Sequence, residues 1–157
     1  MSRLLLHFGC ALPGCYLAAG YLQGKLGVDP EKTSIWETGI WAFNLRILVV
    51  LLPRAARWAR WPMLVQCSRA VRLWAFTYVT CHLLECITFL LGWDIFRLGE
   101  ELLKRPYILV GFIAWMTLMP LDITSKKRWV KRLGPGWKRI NQGVYVAVVL
   151  ADVHYLM

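Results

Sequence analysis

The chain has 157 residues, which is enough for one domain and short for two. Hydrophobic residues make up 58% of it and its mean hydropathy is +0.47, yet 19 lysines and arginines against 9 acidic residues give a net charge of +10. High apolarity with high basicity is typical of a membrane protein whose charges lie in its loops, so the composition argues against a soluble globule and against a nucleic-acid-binding protein.

Five apolar stretches approach the roughly 20 residues that a membrane-spanning helix needs. The first, which contains Pro13, is expected to be a retained helix because no A-x-A cleavage site follows it. The stretches cover 4–22, 40–52 (extending back through Trp36 and ending at Pro53), 73–93, 106–121 and 144–157 (starting near Ile140). The sequence therefore predicts an all-α integral membrane helix bundle of about five transmembrane helices, forming a single domain over 1–157.

Basic residues are unevenly divided between the predicted loops. Twelve lie in the loops after the second and fourth helices, whereas five lie in the loops after the first and third, together with acidic residues. The twelve are Arg54, Arg57, Arg60, Arg69, Arg72, Lys126, Lys127, Arg128, Lys131, Arg132, Lys138 and Arg139. By the positive-inside rule, the two basic loops and the N-terminus are expected to be cytoplasmic, with Met157 on the outside.

Two of the three histidines lie inside predicted helices. His82 is near the centre of the third helix and His154 is in the outer half of the fifth, so both imidazoles are expected at middle-to-outer depth. Two neutral imidazoles opposed across a bundle can ligate a six-coordinate haem iron. A structural hydrogen-bonded couple or a proton relay would use the same pair. His7, near the cytoplasmic start of the first helix, is interpreted as interfacial.

Glu85 is the most informative of the remaining ionisable residues, because a charge at membrane depth costs about 2.5–3.5 kcal/mol on insertion scales. It follows His82 by one helical turn and shares its face. It is expected to support an imidazole or a haem group by a hydrogen bond, to pair with Arg46, or to be a protonated carboxyl bonded inside the bundle. Asp152 is placed near the outer interface.

The sequence offers little other chemistry. Its cysteines form no C-x-x-C pair, zinc-ligand spacing is absent, and there is no G-x-S-x-G, P-loop or G-x-G-x-x-G motif. A small transporter would need broken helices, for which Pro13 is the one indication. No internal repeat is evident.

A series of short motifs resembles the MsrQ (YedZ) family of the ferric reductase-like transmembrane superfamily. They run from about Leu26 to the C-terminus, and their order and spacing carry the resemblance. The motifs are LGVDP at 26–30, Thr38-Gly39, Leu52-Pro53, LWAF at 73–76 before His82, Arg105-Pro106-Tyr107, Gly111, Thr124-Ser125, Leu133-Gly134, Trp137 and Tyr145 before His154.

The resemblance implies a haem-b electron-transfer subunit of the bacterial inner membrane. Its electrons would come from a cytoplasmic reductant linked to flavin, such as FMN, or to quinone. They would pass to MsrP, a periplasmic molybdopterin subunit that reduces methionine sulfoxide in oxidised envelope proteins.

The chain departs from the family pattern in three places. The family has a further histidine thirteen residues before the last one, where this chain has Asn141, and an Arg-Arg pair where this chain has Ser68-Arg69. The family's sixth helix has no counterpart before Met157. We therefore expect one haem, held by His82 and His154. The alternative is a degenerate, non-redox membrane docking or assembly partner.

Overall fold

The computed structural model describes residues 2–60, 62–124 and 127–157, and the secondary structure within those ranges is helical. The helices are α1 (Ser2–Leu22), α2 (Pro30–Trp58), α3 (Pro62–Glu85), α4 (Ile95–Lys104), α5 (Pro106–Ile123), α6 (Lys127–Leu133) and α7 (Pro135–Leu156). A π-helical segment, Cys86–Leu91, continues α3. The predicted class, an all-α membrane helix bundle, is confirmed.

Four of the described helices are long and apolar enough to cross a membrane. They are α1, α2, α3 with its π-helical continuation, and α5. The fifth predicted span falls on α7, which has 22 residues but carries Lys138, Arg139, Asn141 and Gln142 in its first turns. Its apolar part is therefore shorter than a full span.

Helix α1 has the exposed apolar stripe expected of a helix that faces lipid. Leu4, Leu5, Phe8 and Leu12 recur at helical spacing, and each side chain is about two thirds exposed. An apolar stripe this long is unusual on the surface of a water-soluble protein, so its natural surroundings are hydrocarbon.

Several predicted helix ends are wrong. Helix α2 continues through Pro53 to Trp58, although a proline removes one main-chain hydrogen bond from a helix. Guanidinium groups supply bonds to carbonyls nearby: Arg54 donates to the Val50 carbonyl at 3.1 Å, and Arg57 to the Pro53 carbonyl at 3.3 Å. Neither bond reaches the Val49 carbonyl, the acceptor that the missing N–H of position 53 would have used, so the helix continues with that one main-chain bond absent.

The other differences from the predicted helix ends also involve prolines. Helices α3 and α7 begin earlier than predicted, at Pro62 and Pro135, because proline suits the first turn of a helix. Arg69 and Arg72 therefore lie on α3, and α4 and α6 occupy segments predicted as loops. Ser125 and Lys126, which belong to the last predicted loop, lie outside the described residues.

The helices group into two compact units, one ending at Gly92 and the other beginning at Trp93. In the first unit α2 packs along α3 and α1 contacts both, and in the second α5 packs against α7. Small side chains line both helix pairs: Ala42 and Ala75 are buried in the first, and Ala114 and Ala147 in the second. Small residues let membrane helices approach closely. The single domain over 1–157 stays a prediction.

A tyrosine hydroxyl of α3 is inserted into α1. The main-chain N–H of Gly14 donates to the Tyr78 hydroxyl at 2.8 Å, and that hydroxyl donates to the Cys10 carbonyl at 2.8 Å. In an uninterrupted helix the N–H of Gly14 would bond to the Cys10 carbonyl itself. The insertion follows Pro13, where the ladder already lacks one N–H, and it links α1 to α3.

We expect Tyr78→Phe to lower the stability of the protein by about 1–3 kcal/mol, because the groups of α1 that it bridges lose their partner. The measurement is thermal unfolding in detergent, followed by circular dichroism. Tyr16→Phe is the matched control, since Tyr16 lies on α1 with its side chain mostly exposed. Equal melting temperatures for the two variants would contradict the assigned role of the hydroxyl.

Candidate functional site

His82, on α3, is held against α2 by its ring nitrogen Nδ1. That nitrogen lies 2.9 Å from the carbonyl oxygen of Ile35. A carbonyl can only accept, so Nδ1 carries the proton and the lone pair of the neutral ring is on Nε2. A Cβ atom at position 39 would lie 3.2 Å from His82 Cε1 and 3.3 Å from Nδ1, so Gly39 makes room for the ring.

His154, on α7, is held against α5 in the same way. Its Nδ1 lies 2.7 Å from the carbonyl oxygen of Tyr107, so the same tautomer follows. A Cβ atom at position 111 would lie 2.9 Å from both Cε1 and Nδ1 of His154, closer than real Cβ contacts allow. Gly111 is therefore required for this position of the ring.

The spacing of carbonyl and glycine has a physical reason. In a helix the side chain of residue i+4 points back over the carbonyl of residue i. Glycine at that position leaves the carbonyl accessible to a ring from the neighbouring helix. Gly39 follows Ile35 by four residues, and Gly111 follows Tyr107 by four.

The two arrangements form an internal correspondence. An offset of 72 residues relates Ile35 to Tyr107, Gly39 to Gly111 and His82 to His154. The same offset relates Ala42 to Ala114, each 6% exposed, and Ala75 to Ala147, each 0% exposed. Each compact unit therefore contains one helix pair built to hold one imidazole. The expectation that the chain has no internal repeat is therefore wrong.

Glu85, on α3, bonds to the same turn of α2 as His82. The Ser34 hydroxyl donates to Oε1 of Glu85 at 2.9 Å, and Thr38 Oγ1 lies 2.7 Å from Oε2. Both hydroxyl-bearing residues are buried. The carboxyl group is thus bonded within the helix pair, and Arg46, also buried, follows Thr38 by two turns of α2.

The remaining sequence-predicted residues lie elsewhere. The Trp74 indole N–H donates to His7 Nδ1 at 2.9 Å, which links α1 to α3 at an exposed position. Asp152 is half-buried on α7. In the described part of the chain, no group of three or more His, Cys, Asp or Glu residues could hold a metal ion.

The departures from the family pattern at Ser68 and Asn141 lie at or next to positions that the 72-residue offset relates. Arg69 and Asn141 correspond to one another, and each precedes its histidine, His82 or His154, by thirteen residues. Arg69 is exposed on α3, Asn141 is half-buried on α7, and Ser68 is buried beside Arg69.

Together, these features define an all-α membrane protein in which two helix pairs each hold one histidine by its Nδ1. A family model described as ferric reductase like transmembrane component matches residues 35–151, which include His82 and both glycines. No solved structure matches the chain.

Comparison with relatives identifies the family within this class. The chain is 36% identical over 98% of its length to the protein-methionine-sulfoxide reductase heme-binding subunit MsrQ of Pectobacterium carotovorum subsp. carotovorum (strain PC1), and covers 78% of it. Identity is 35% to MsrQ of Pectobacterium atrosepticum and 36% to MsrQ of Yersinia pseudotuberculosis serotype O:1b, which the chain covers to 78% and 76%. The chain belongs to the MsrQ family of ferric reductase-like transmembrane proteins.

We expect Gly111→Ala to destabilise the protein by about 1–3 kcal/mol, because the new methyl group overlaps the His154 ring. Gly39→Ala should cost less, since its closest ring atom is 0.3 Å farther away. Gly143→Ala is the control, because its nearest neighbour would be 3.7 Å away and alanine otherwise favours a helix. Thermal unfolding in detergent is the measurement. A Gly111→Ala protein as stable as Gly143→Ala would contradict the proposed close contact.

Proposed function

We propose that this chain is the haem-b electron-transfer subunit of a methionine sulfoxide reductase system, with His82 and His154 as the axial ligands of one haem iron. The observation that carries the proposal is the Nδ1–H bond that each imidazole donates to a main-chain carbonyl. Ligand histidines are commonly oriented by such a bond, which leaves Nε2 for the metal. The MsrQ relatives are named as heme-binding subunits.

The donor set fits a six-coordinate haem. Two neutral imidazoles would hold the iron and would leave it no position for a substrate. The haem supplies one-electron chemistry, while the chain orients the ligands and tunes the potential. The carbonyl acceptors of Ile35 and Tyr107 raise the basicity of their rings. Glu85, bonded to the turn of α2 that also holds His82, is proposed to support this ligand indirectly.

The partners follow from the family rather than from the geometry of the site. The acceptor is proposed to be the periplasmic molybdopterin subunit MsrP, and the donor a cytoplasmic reductant that uses flavin, such as FMN, or quinone. Exposed basic residues of α6 and early α7 would suit an anionic donor on the cytoplasmic side. These residues are Arg128, Lys131, Arg132, Lys138 and Arg139.

We expect one low-spin haem per wild-type chain, lost completely in His82→Ala and in His154→Ala, because neither variant retains both imidazoles. His7→Ala is the matched control and should keep the haem, since His7 bonds to Trp74 at the surface of the first unit. Reduced-minus-oxidised spectra with haem quantification on purified protein provide the measurement.

Two haems per chain, or full haem binding by His154→Ala, would show that the ligand assignment is wrong. A wild-type protein that takes up no haem in membranes supplied with haem would reject the electron-transfer function. It would favour the alternative, a docking or assembly partner without redox chemistry.

The proposed location is the bacterial inner membrane, with a cytoplasmic N-terminus. A topology reporter fused after Arg128 should therefore read as cytoplasmic, and one inserted at Glu31 as periplasmic, because loops rich in Lys and Arg stay inside. Paired reporters of opposite response, such as one active only in the cytoplasm and one only in the periplasm, provide the measurement. Reversed readings at both sites would overturn the orientation.

A further inference from the structure

The two histidine-holding helix pairs differ in one group of side chains. Under the 72-residue offset, Ser34 corresponds to Pro106 and Thr38 to Val110, so the second pair lacks both hydroxyls. His154 nevertheless bonds to its carbonyl at 2.7 Å. The hydroxyl–carboxyl cluster of Ser34, Thr38 and Glu85 is therefore unnecessary for holding an imidazole, and its presence beside His82 needs another explanation.

A continuous hydrogen-bond path joins this cluster to the His82 ring. The Ile35 carbonyl lies 2.9 Å from His82 Nδ1 and 3.1 Å from Thr38 Oγ1. Thr38 Oγ1 in turn lies 2.7 Å from Oε2 of Glu85 and 2.8 Å from the Ser34 carbonyl. Thr38 has a single hydroxyl proton, so it can donate to the carboxyl group or to a carbonyl, but not to both.

The protonation state of Glu85 decides which of these bonds forms. An ionised carboxylate can only accept, so Thr38 then donates to Glu85. A carboxyl group protonated at Oε2 donates to Thr38, whose own proton then turns to one of two carbonyls, that of Ser34 at 2.8 Å or that of Ile35 at 3.1 Å. A second donor at the Ile35 carbonyl weakens its bond to His82 Nδ1–H, which lowers the basicity of the ring.

We propose that Ser34, Thr38 and Glu85 form a proton site coupled to the redox state of the haem that His82 ligates. When one electron from the reductant reduces a bound ferric haem to the ferrous state, Glu85 would take one proton from the aqueous phase and become a carboxylic acid. Oxidation reverses both transfers. The net charge of the site then stays constant, which matters where added charge is poorly solvated. This inference rests on the proposed haem-binding function.

A cavity lies beside Glu85 on its α1 side. The Glu85 carboxyl group lies on the wall of this cavity, which has a volume of about 580 Å³ between α1, α2 and α3, large enough for water molecules. The other titratable groups that line this cavity are Cys15 and Tyr21 on α1 and Tyr78 and Cys81 on α3. His82 and Cys86 flank Glu85 on its own helix, while α2 contributes Ser34 and Thr38 to the cavity.

The test measures the haem midpoint potential of the full-length purified protein as a function of pH. For one proton per electron, the wild-type slope should approach about 59 mV per pH unit, the value of a tenfold change for a one-electron couple. Glu85→Gln should keep its haem and lose most of this slope. Glu37→Gln is the matched control, because it neutralises a half-buried carboxylate of α2 that lines a different cavity and should retain the wild-type slope.

Two further measurements test the proton site if Glu85→Gln folds poorly. Thr38→Ser retains the hydroxyl and should keep the slope, whereas Thr38→Val should reduce it. Redox-difference infrared spectra of the wild type should show the carbonyl stretch of a carboxylic acid appearing on reduction. A flat wild-type profile, an unchanged slope in Glu85→Gln or Thr38→Val, or no such infrared band would overturn the proton site alone. A protein without haem would instead reject the proposed function.

Discussion

The interaction on which the rest of this structure depends is a hydrogen bond from an imidazole to a carbonyl that already belongs to a helix. That carbonyl can accept a second bond only if the side chain four residues later does not cover it. Gly39 and Gly111 meet this condition, and each fixes a histidine of the neighbouring helix in a single tautomer. The small residues Ala75 and Ala147, one in each pair, let the helices approach closely enough for the bond to form.

This constraint also explains how two helix pairs with little sequence in common can each hold a histidine in the same way. Lipid-facing positions need only be apolar, and most core positions need only fit in volume, so neither keeps a fixed residue. The carbonyl needs no particular side chain at all, which is why Ile35 and Tyr107 correspond. The two helix pairs then need the same residue type only at the glycine and the histidine. They also share the two small buried residues.

The sequence was sufficient for the broad features and insufficient for those that depend on helix register. Apolar stretches predicted the membrane helices, and the placement of His82 and His154 within them led to the two candidate ligands. The continuation of α2 through Pro53 was not predictable, because proline removes one main-chain bond, and packing against neighbouring helices decides whether the helix ends there. Thr38-Gly39 and Gly111 were noted as family motifs, but their contact with an imidazole is visible only once helices pack. The same applies to the bonds from Ser34 and Thr38 to Glu85.

The chain departs from the family pattern at Ser68 and Asn141, and these departures bear on the choice of electron donor. Thirteen residues of helix span about 20 Å, which is most of a hydrocarbon core of about 30 Å. A single haem at the level of His82 and His154 would leave that distance on the cytoplasmic side without a second haem. A flavin in the cytoplasm would have to transfer electrons across it, whereas a lipid-soluble quinol can approach within the membrane. Of the two donor classes proposed for this chain, the quinone-linked donor is therefore more compatible with a single haem at this depth.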